Sequence, residues 1–234
     1  MAAITKKVIL FLVEGPTDED ALSPVLKKIF QNSQVRFHVV HGDITSDLLV
    51  DAANVLVTVN EHVKIEMDRY GFKRSDILRV IHLIDTDGAF IPNENVIAGD
   101  VNKLQYEENQ IICQYPARTI ARNERKTRTL NRLCSAKKAG GTPYAIYYFS
   151  RNLEHVLHDN PEGLTDDQKI DYADEFADKY AKSPDDFIQF LSNSDFTVHG
   201  SYGETWRFIF EDTHSLHRHC NLHLLFQEEN HFEQ

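Results

Sequence analysis

Five acidic residues stand where the chain leaves apolar runs: Glu14, Asp18, Asp85, Asp87 and Glu154. Glu14 follows the unbroken run Val8 to Val13 and opens a Glu-Gly turn, with Asp18 one helical turn further on. Asp85 and Asp87 make an Asp-x-Asp directly after Ile77 to Ile84, and Glu154 closely follows Tyr144 to Phe149. Carboxylates gathered in one place repel one another unless something positive lies among them. A hard divalent cation that prefers oxygen ligands, Mg²⁺ or Mn²⁺, meets that need. In an extended Asp-x-Asp the alternate side chains face the same way, so Asp85 and Asp87 can reach one metal or bridge two.

Elements must bring these positions together. Val8 to Val13, fed straight into a turn, reads as a strand buried on both faces. Leu22, Val25, Leu26, Ile29 and Phe30 then fall at i, i+3, i+4, i+7 and i+8, the apolar stripe of a helix. Thr17 and Asp20 have capping-box spacing, and Pro24 predicts a kink or a restart. Val35 to Val40 alternates as a second strand. Ser46 to about Tyr70 reads as a long helix stopped by Gly71. Ile77 to Ile84 is a third strand, residues 89–110 read as irregular, and the basic segment after them as partly helical. Gly140-Gly141 breaks that segment before a fourth strand, Tyr144 to Phe149. Such alternation predicts an α/β fold, a mostly parallel four-stranded sheet flanked by helices. Ligands of open α/β sheets bind beyond the carboxyl ends of the strands, where these acids stand.

FLVEGPTDEDAL followed by VIHLIDTDGA resembles the Toprim domain of topoisomerases, primases, small ribosomal-RNA maturation nucleases and OLD-type nucleases. Glu-Gly plus Asp-x-Asp is that domain's signature. Asp18, and the glutamate of SRNLEH after the fourth strand, bring the likeness nearest to the OLD-type nucleases and related phage-defence proteins. The resemblance covers about residues 8–158. It implies Mg²⁺-dependent phosphodiester chemistry, with Glu14 as general acid/base or metal ligand and Asp85 and Asp87 on the metal. In the two-metal arrangement of the OLD-type nucleases, Asp18 and Glu154 become further ligands. Residues 1–158 are then the catalytic domain, and 159–234 a mainly helical extension packed on it. OLD-type nucleases usually carry an ATPase domain in the same chain. This chain has none, which leaves a separate ATPase partner as one way to regulate it. No tyrosine matches a topoisomerase nucleophile. The second reading is a non-catalytic Toprim module that binds a partner protein or nucleic acid.

Composition narrows the classes. The chain has 234 residues, 41% hydrophobic and 26% charged, with only 10 Gly and 7 Pro, which excludes a low-complexity or disordered chain. Val8 to Val13 is far too short to span a membrane and no signal-peptide pattern is present, so a cytoplasmic protein without membrane association is expected. No GxGxxG follows the first strand and no GxxxxGK[ST] occurs. Three widely spaced cysteines point to neither a disulfide framework nor a cysteine zinc site.

The net charge of -11 argues against simple coating of nucleic acid, but the charge is unevenly spread. Arg118, Arg122, Arg125, Lys126, Arg128, Arg132, Lys137 and Lys138 lie in one segment with a single acid, Glu124. Arg118, Arg122 and Arg125 share one helical face. Such a segment suits a phosphate backbone or balances acids of its own chain. Arg118, Arg122, Arg125, Lys126, Lys137 and Lys138 are the nucleic-acid contacts expected of a nuclease. The acids of residues 166–186 read as a solvated helix face. His214, His217, His219 and His223 cluster near the end. His219 and His223, at i and i+4, have zinc-chelating spacing but lack an HExxH frame. Trp206, Phe208 and Phe210 alternate as a half-buried strand would.

Overall fold

A computed structural model describes residues 7–160 and 164–228. The chain is α/β. Its larger sheet has five strands, β1 (Val8–Val13), β2 (Gln34–Val39), β3 (Ile77–Asp85), β7 (Lys138–Ala139) and β8 (Thr142–Phe149), in the order β2-β1-β3-β8-β7. β1 pairs in parallel with β2, from Val8↔Gln34 to Val13↔Val39, and with β3, as far as Leu12↔His82. The sheet is nevertheless mixed, because β7 and β8 are antiparallel. Gly140 and Gly141 cause this: at φ 55° and 92° they form a two-residue hairpin turn instead of ending the preceding helix. The expected four-stranded, mostly parallel sheet thus becomes a five-stranded mixed one.

Eight helices lie among the described residues: α1 (Pro16–Ile29), α2 (Val55–Tyr70), α3 (Pro116–Cys134), α4 (Leu153–His158), α5 (Asp166–Tyr180), α6 (Pro184–Asn193), α7 (Tyr202–Ile209) and α8 (Leu224–Glu228). None is long and apolar enough to cross a membrane. By contacts the described residues divide into two compact units, residues 7–83, 131–146 and 164–187 in one, and 84–130, 147–160 and 188–228 in the other.

In the first unit β1 is buried at all six positions, as a central strand must be. α1 starts at Pro16 with Gly15 as N-cap, and Pro24 sits inside it without ending it. α5 packs on α1 through Ala173, Phe176, Ala177 and Tyr180, while its acids face solvent. α2 starts nine residues later than the apolar spacing suggests. Asp47 and Asp51 accept backbone N–H groups two residues on, from Leu49 and Ala53, at 2.7 and 2.8 Å. These local turns compete with helix over 46–54.

In the second unit the stretch expected to be irregular forms a small sheet, β4 (Val96–Ala98), β5 (Gln105–Tyr106) and β6 (Ile111–Cys113), in the order β4-β6-β5. Its core is Ile91, Val96, Ile111, Cys113 and Leu216. Of the alternating aromatics, Trp206 and Phe208 lie on α7 and Phe210 is its C-cap, rather than all three on a strand. Ser201 and Glu204 form a capping box, with Ser201 N–H donating to Glu204 Oε2 at 2.8 Å. That nucleates a helix, and the apolar spacing then serves a helical face.

Gly88, in the turn after Asp87, has φ 73°, and a Cβ there would lie 2.6 Å from Ile111 Cδ1. Gly88→Ala is therefore expected to lower stability by about 1–3 kcal/mol through backbone strain and the clash with this small core. Urea unfolding measures it, and an unchanged midpoint would contradict this packing.

Candidate metal centre

The first unit supplies one pair of carboxylates. The β1 run ends at Glu14, where the chain turns out of the sheet. Val40 N–H donates to the Val13 carbonyl at 2.9 Å, and Gly42 N–H to the Glu14 carbonyl at 3.2 Å. The exits of β1 and β2 are thereby zipped together. Asp43 follows immediately, and its carboxylate lies within 4.8 Å of that of Glu14, both half-buried. Asp43 Oδ1 accepts the Thr45 backbone N–H at 2.7 Å and the Thr45 hydroxyl. Thr45 is wholly buried, so this carboxylate is anchored rather than free to swing. Two carboxylates at this spacing suit oxygen coordination of a hard cation. Asp18 stands at the third position of α1, where its Oδ2 accepts Gly15 N–H at 2.9 Å. It thus caps the helix whose start follows Glu14.

Asp43 did not figure among the acids expected in the site. Its signal was present: an acid four residues past β2, a strand parallel to β1, at the sheet edge where strands deliver ligands. The His-Gly before it hid that rule by separating the acid from the strand.

The second unit holds Asp85, Asp87 and Glu154. Asp85 is the last residue of β3 and half-buried. Asp87 has φ 47°, and its N–H donates to the Arg151 carbonyl at 3.0 Å. Arg151 is also left-handed, at φ 60°, and its N–H donates to Thr86 Oγ1 at 2.8 Å. Non-glycine residues in this region are strained and persist only where surrounding structure holds them. The Asp87 carboxylate accepts from Lys126 Nζ at 2.6 Å, and its carbonyl from Arg122 at 2.7 Å. Burial, then the Asp87 charge, raises the Tyr106 hydroxyl above its ordinary value. Glu154 lies buried on α4, in the first turn after the Asn152 cap.

The chain matches no family model, no curated protein and no solved structure.

The basic residues divide by environment. Arg118 is exposed and lies over the Tyr115 ring at 5.1 Å, and Lys137 and Lys138 are exposed. Arg122 is turned to Asp87 and to Asn123, and Arg125 is half-buried. Lys126, expected on a polymer-binding face, is instead wholly buried and ion-paired with Asp87. On α3 it lies four residues beyond Arg122, on the inward side of the helix, where an unpaired lysine is not tolerated.

The histidines are held by neighbours. His214 Nδ1 donates to the Phe208 carbonyl at 2.7 Å and its ring stacks on Phe208. His219 and His223 lie outside any helix, so their spacing creates no chelating face. His219 approaches His214 and His217, whereas His223 approaches His199. Burial lowers His155, His219 and His223 to about 4, helped by Arg151 beside His155, by His214 beside His219 and by His199 beside His223. The folded chain thus keeps them neutral where the unfolded chain takes up protons near 6.5. Their contribution to stability is complete above that value and lost as pH falls from about 6.5 to about 4, on the order of 1–3 kcal/mol each. Calorimetry is expected to show Tm falling steeply over this window, and a flat Tm would contradict these environments.

Proposed function

We propose that the chain is a metal-dependent nuclease of the Toprim type, hydrolysing phosphodiester bonds of DNA or RNA, with Glu14 and Asp43 as metal ligands and, from the Toprim likeness, Asp87. Asp18, Asp85 and Glu154 complete the acidic set in this reading, which fits one Mg²⁺ or Mn²⁺, or two. The observation that carries it is the pair Glu14 and Asp43, two carboxylates within 4.8 Å beyond the carboxyl ends of adjacent parallel strands, that of Asp43 anchored on Thr45. The Glu-Gly and Asp-x-Asp motifs support it independently. A bound divalent cation supplies Lewis acidity, activating water and stabilising the leaving oxygen. Glu14 serves as ligand and as acceptor of the water proton. Arg118, Lys137 and Lys138, exposed, supply charge for the polymer's phosphates. The likeness to OLD-type nucleases supports a role in phage defence, with a separate ATPase partner as one way to regulate it.

One observation favours the other reading, a module that binds a partner or nucleic acid without cleaving it: Lys126 already neutralises Asp87. Incubation with single- and double-stranded DNA and RNA, in Mg²⁺, Mn²⁺ or EDTA, separates the two. Cleavage that EDTA abolishes supports the nuclease. No cleavage, together with no Mg²⁺ or Mn²⁺ uptake by calorimetry, supports the binding module.

A further inference from the structure

β2 and α2 bring together three titratable side chains that the metal reading does not use. His38 is buried on β2, Glu66 on α2 is 1% exposed, and His62, one turn before Glu66, is half-buried. His38 Nδ1 lies 2.8 Å from Glu66 Oε1, and His38 Nε2 lies 2.8 Å from His62 Nδ1. Arg69 reaches Glu66 Oε1 at 3.5 Å from an exposed position, and Glu66 Oε2 is buried with no hydrogen-bond partner. Glu61, next to His62 on α2, is the remaining charge that acts on the His62 ring.

Proton counting fixes what this array can do. A carboxylate only accepts, so His38 Nδ1 carries a proton. The contact between the two rings then holds one proton and no more. Either His38 Nε2–H donates to His62, or His62 Nδ1–H donates to His38. With a proton on each nitrogen, two donors face each other without an acceptor and two like charges meet. We propose that the His38–His62 contact is a one-proton latch between β2 and α2, closed near neutral pH and opened when the pair takes up a second proton. Glu66 Oε1 holds His38 from the buried side at 2.8 Å, so His38 cannot turn away without stranding a buried carboxylate. The second proton then belongs to His62, which has access to water and turns outward. Burial and the His38 charge hold His62 below its ordinary value, so opening requires acid.

The latch closes the segment 40–54, which runs from β2 to α2 and contains Asp43. Opening it loosens one carboxylate of the proposed metal centre. That consequence rests on the nuclease reading, and the latch itself does not.

Hydrogen exchange at pH 7 and pH 5, corrected for intrinsic rates, tests it in the full chain and in His62→Gln. The expected result is a loss of protection in residues 38–54 and α2 that is about tenfold larger in the wild type than in His62→Gln, equivalent to one pKa unit. Equal protection at both pH values in the wild type, or an equal loss in His62→Gln, would overturn it, because the loss caused by His155, His219 and His223 is common to both proteins and cancels in the comparison. Magnesium uptake at pH 7 is a separate arm. If neither protein binds Mg²⁺ while the exchange pattern holds, the metal reading fails and the latch stands.

Discussion

Glu14→Ala is expected to abolish cleavage dependent on Mg²⁺ or Mn²⁺, by at least about a hundredfold, and to remove divalent-cation uptake, while leaving the fold intact. The side chain is half-buried at the end of β1, beyond the last core residue Val13, so truncation opens no cavity in the sheet. The backbone bond from Gly42 to the Glu14 carbonyl also survives, because it does not involve the side chain. What disappears is one of two carboxylates held within 4.8 Å of each other, and cation affinity depends on ligand charge. Asp43 requires a gentler change. Its Oδ1 satisfies the Thr45 N–H, and alanine would leave that donor without its partner, costing about 1–3 kcal/mol unrelated to metal. Asp43→Asn keeps an acceptor oxygen and removes the charge. It is expected to weaken cation binding with little change in Tm. Full metal-dependent activity in Glu14→Ala would end the nuclease proposal.

The parts of this architecture legible in sequence are those whose signal is local. β1 has an unbroken apolar run with a Glu-Gly exit. β3 has branched residues running into Asp-x-Asp. α3 follows the basic periodicity through Arg132, and α5 keeps its acids outward as its pattern requires. Where the reading failed, a short-range feature outweighed periodicity. Aspartate turns delayed α2, a Ser-x-x-Glu cap put Trp206 and Phe208 of the 206–210 alternation on a helix, and Gly-Gly built a hairpin instead of a break. The candidate site was half legible. Glu14 and the Asp-x-Asp announce themselves by following apolar runs. Asp43 enters because β2 pairs in register with β1, which no single segment encodes. Lys126 misleads for the complementary reason: charge is visible in sequence, but the direction it faces is not.

Asp87→Ala, the obvious test of the second motif, is expected to destabilise the protein by about 3–5 kcal/mol before any chemistry is measured. Lys126 is 0% exposed and its Nζ lies 2.6 Å from Asp87 Oδ2, whereas the Asp87 side chain is 32% exposed. Removing the carboxylate takes a counter-charge 2.6 Å away from an ammonium that water cannot reach. The opposite truncation is milder. Lys126→Met keeps the apolar stem and leaves a carboxylate that solvent can partly hydrate, at a cost of about 1–2 kcal/mol. The double variant Asp87→Asn with Lys126→Met removes both charges of this pair and is expected to be more stable than Asp87→Ala. Urea unfolding of the three measures this, and equal losses from both single truncations would contradict the buried ion pair. The same set decides whether Asp87 is a ligand. In Lys126→Met the carboxylate loses the cation that offsets it, so Mg²⁺ should bind more tightly than to the wild type if Asp87 coordinates metal. A binding module without a metal centre gives no uptake in either protein. Loss of cleavage in Asp87→Ala alone therefore proves little, and gain of affinity in Lys126→Met is the decisive observation.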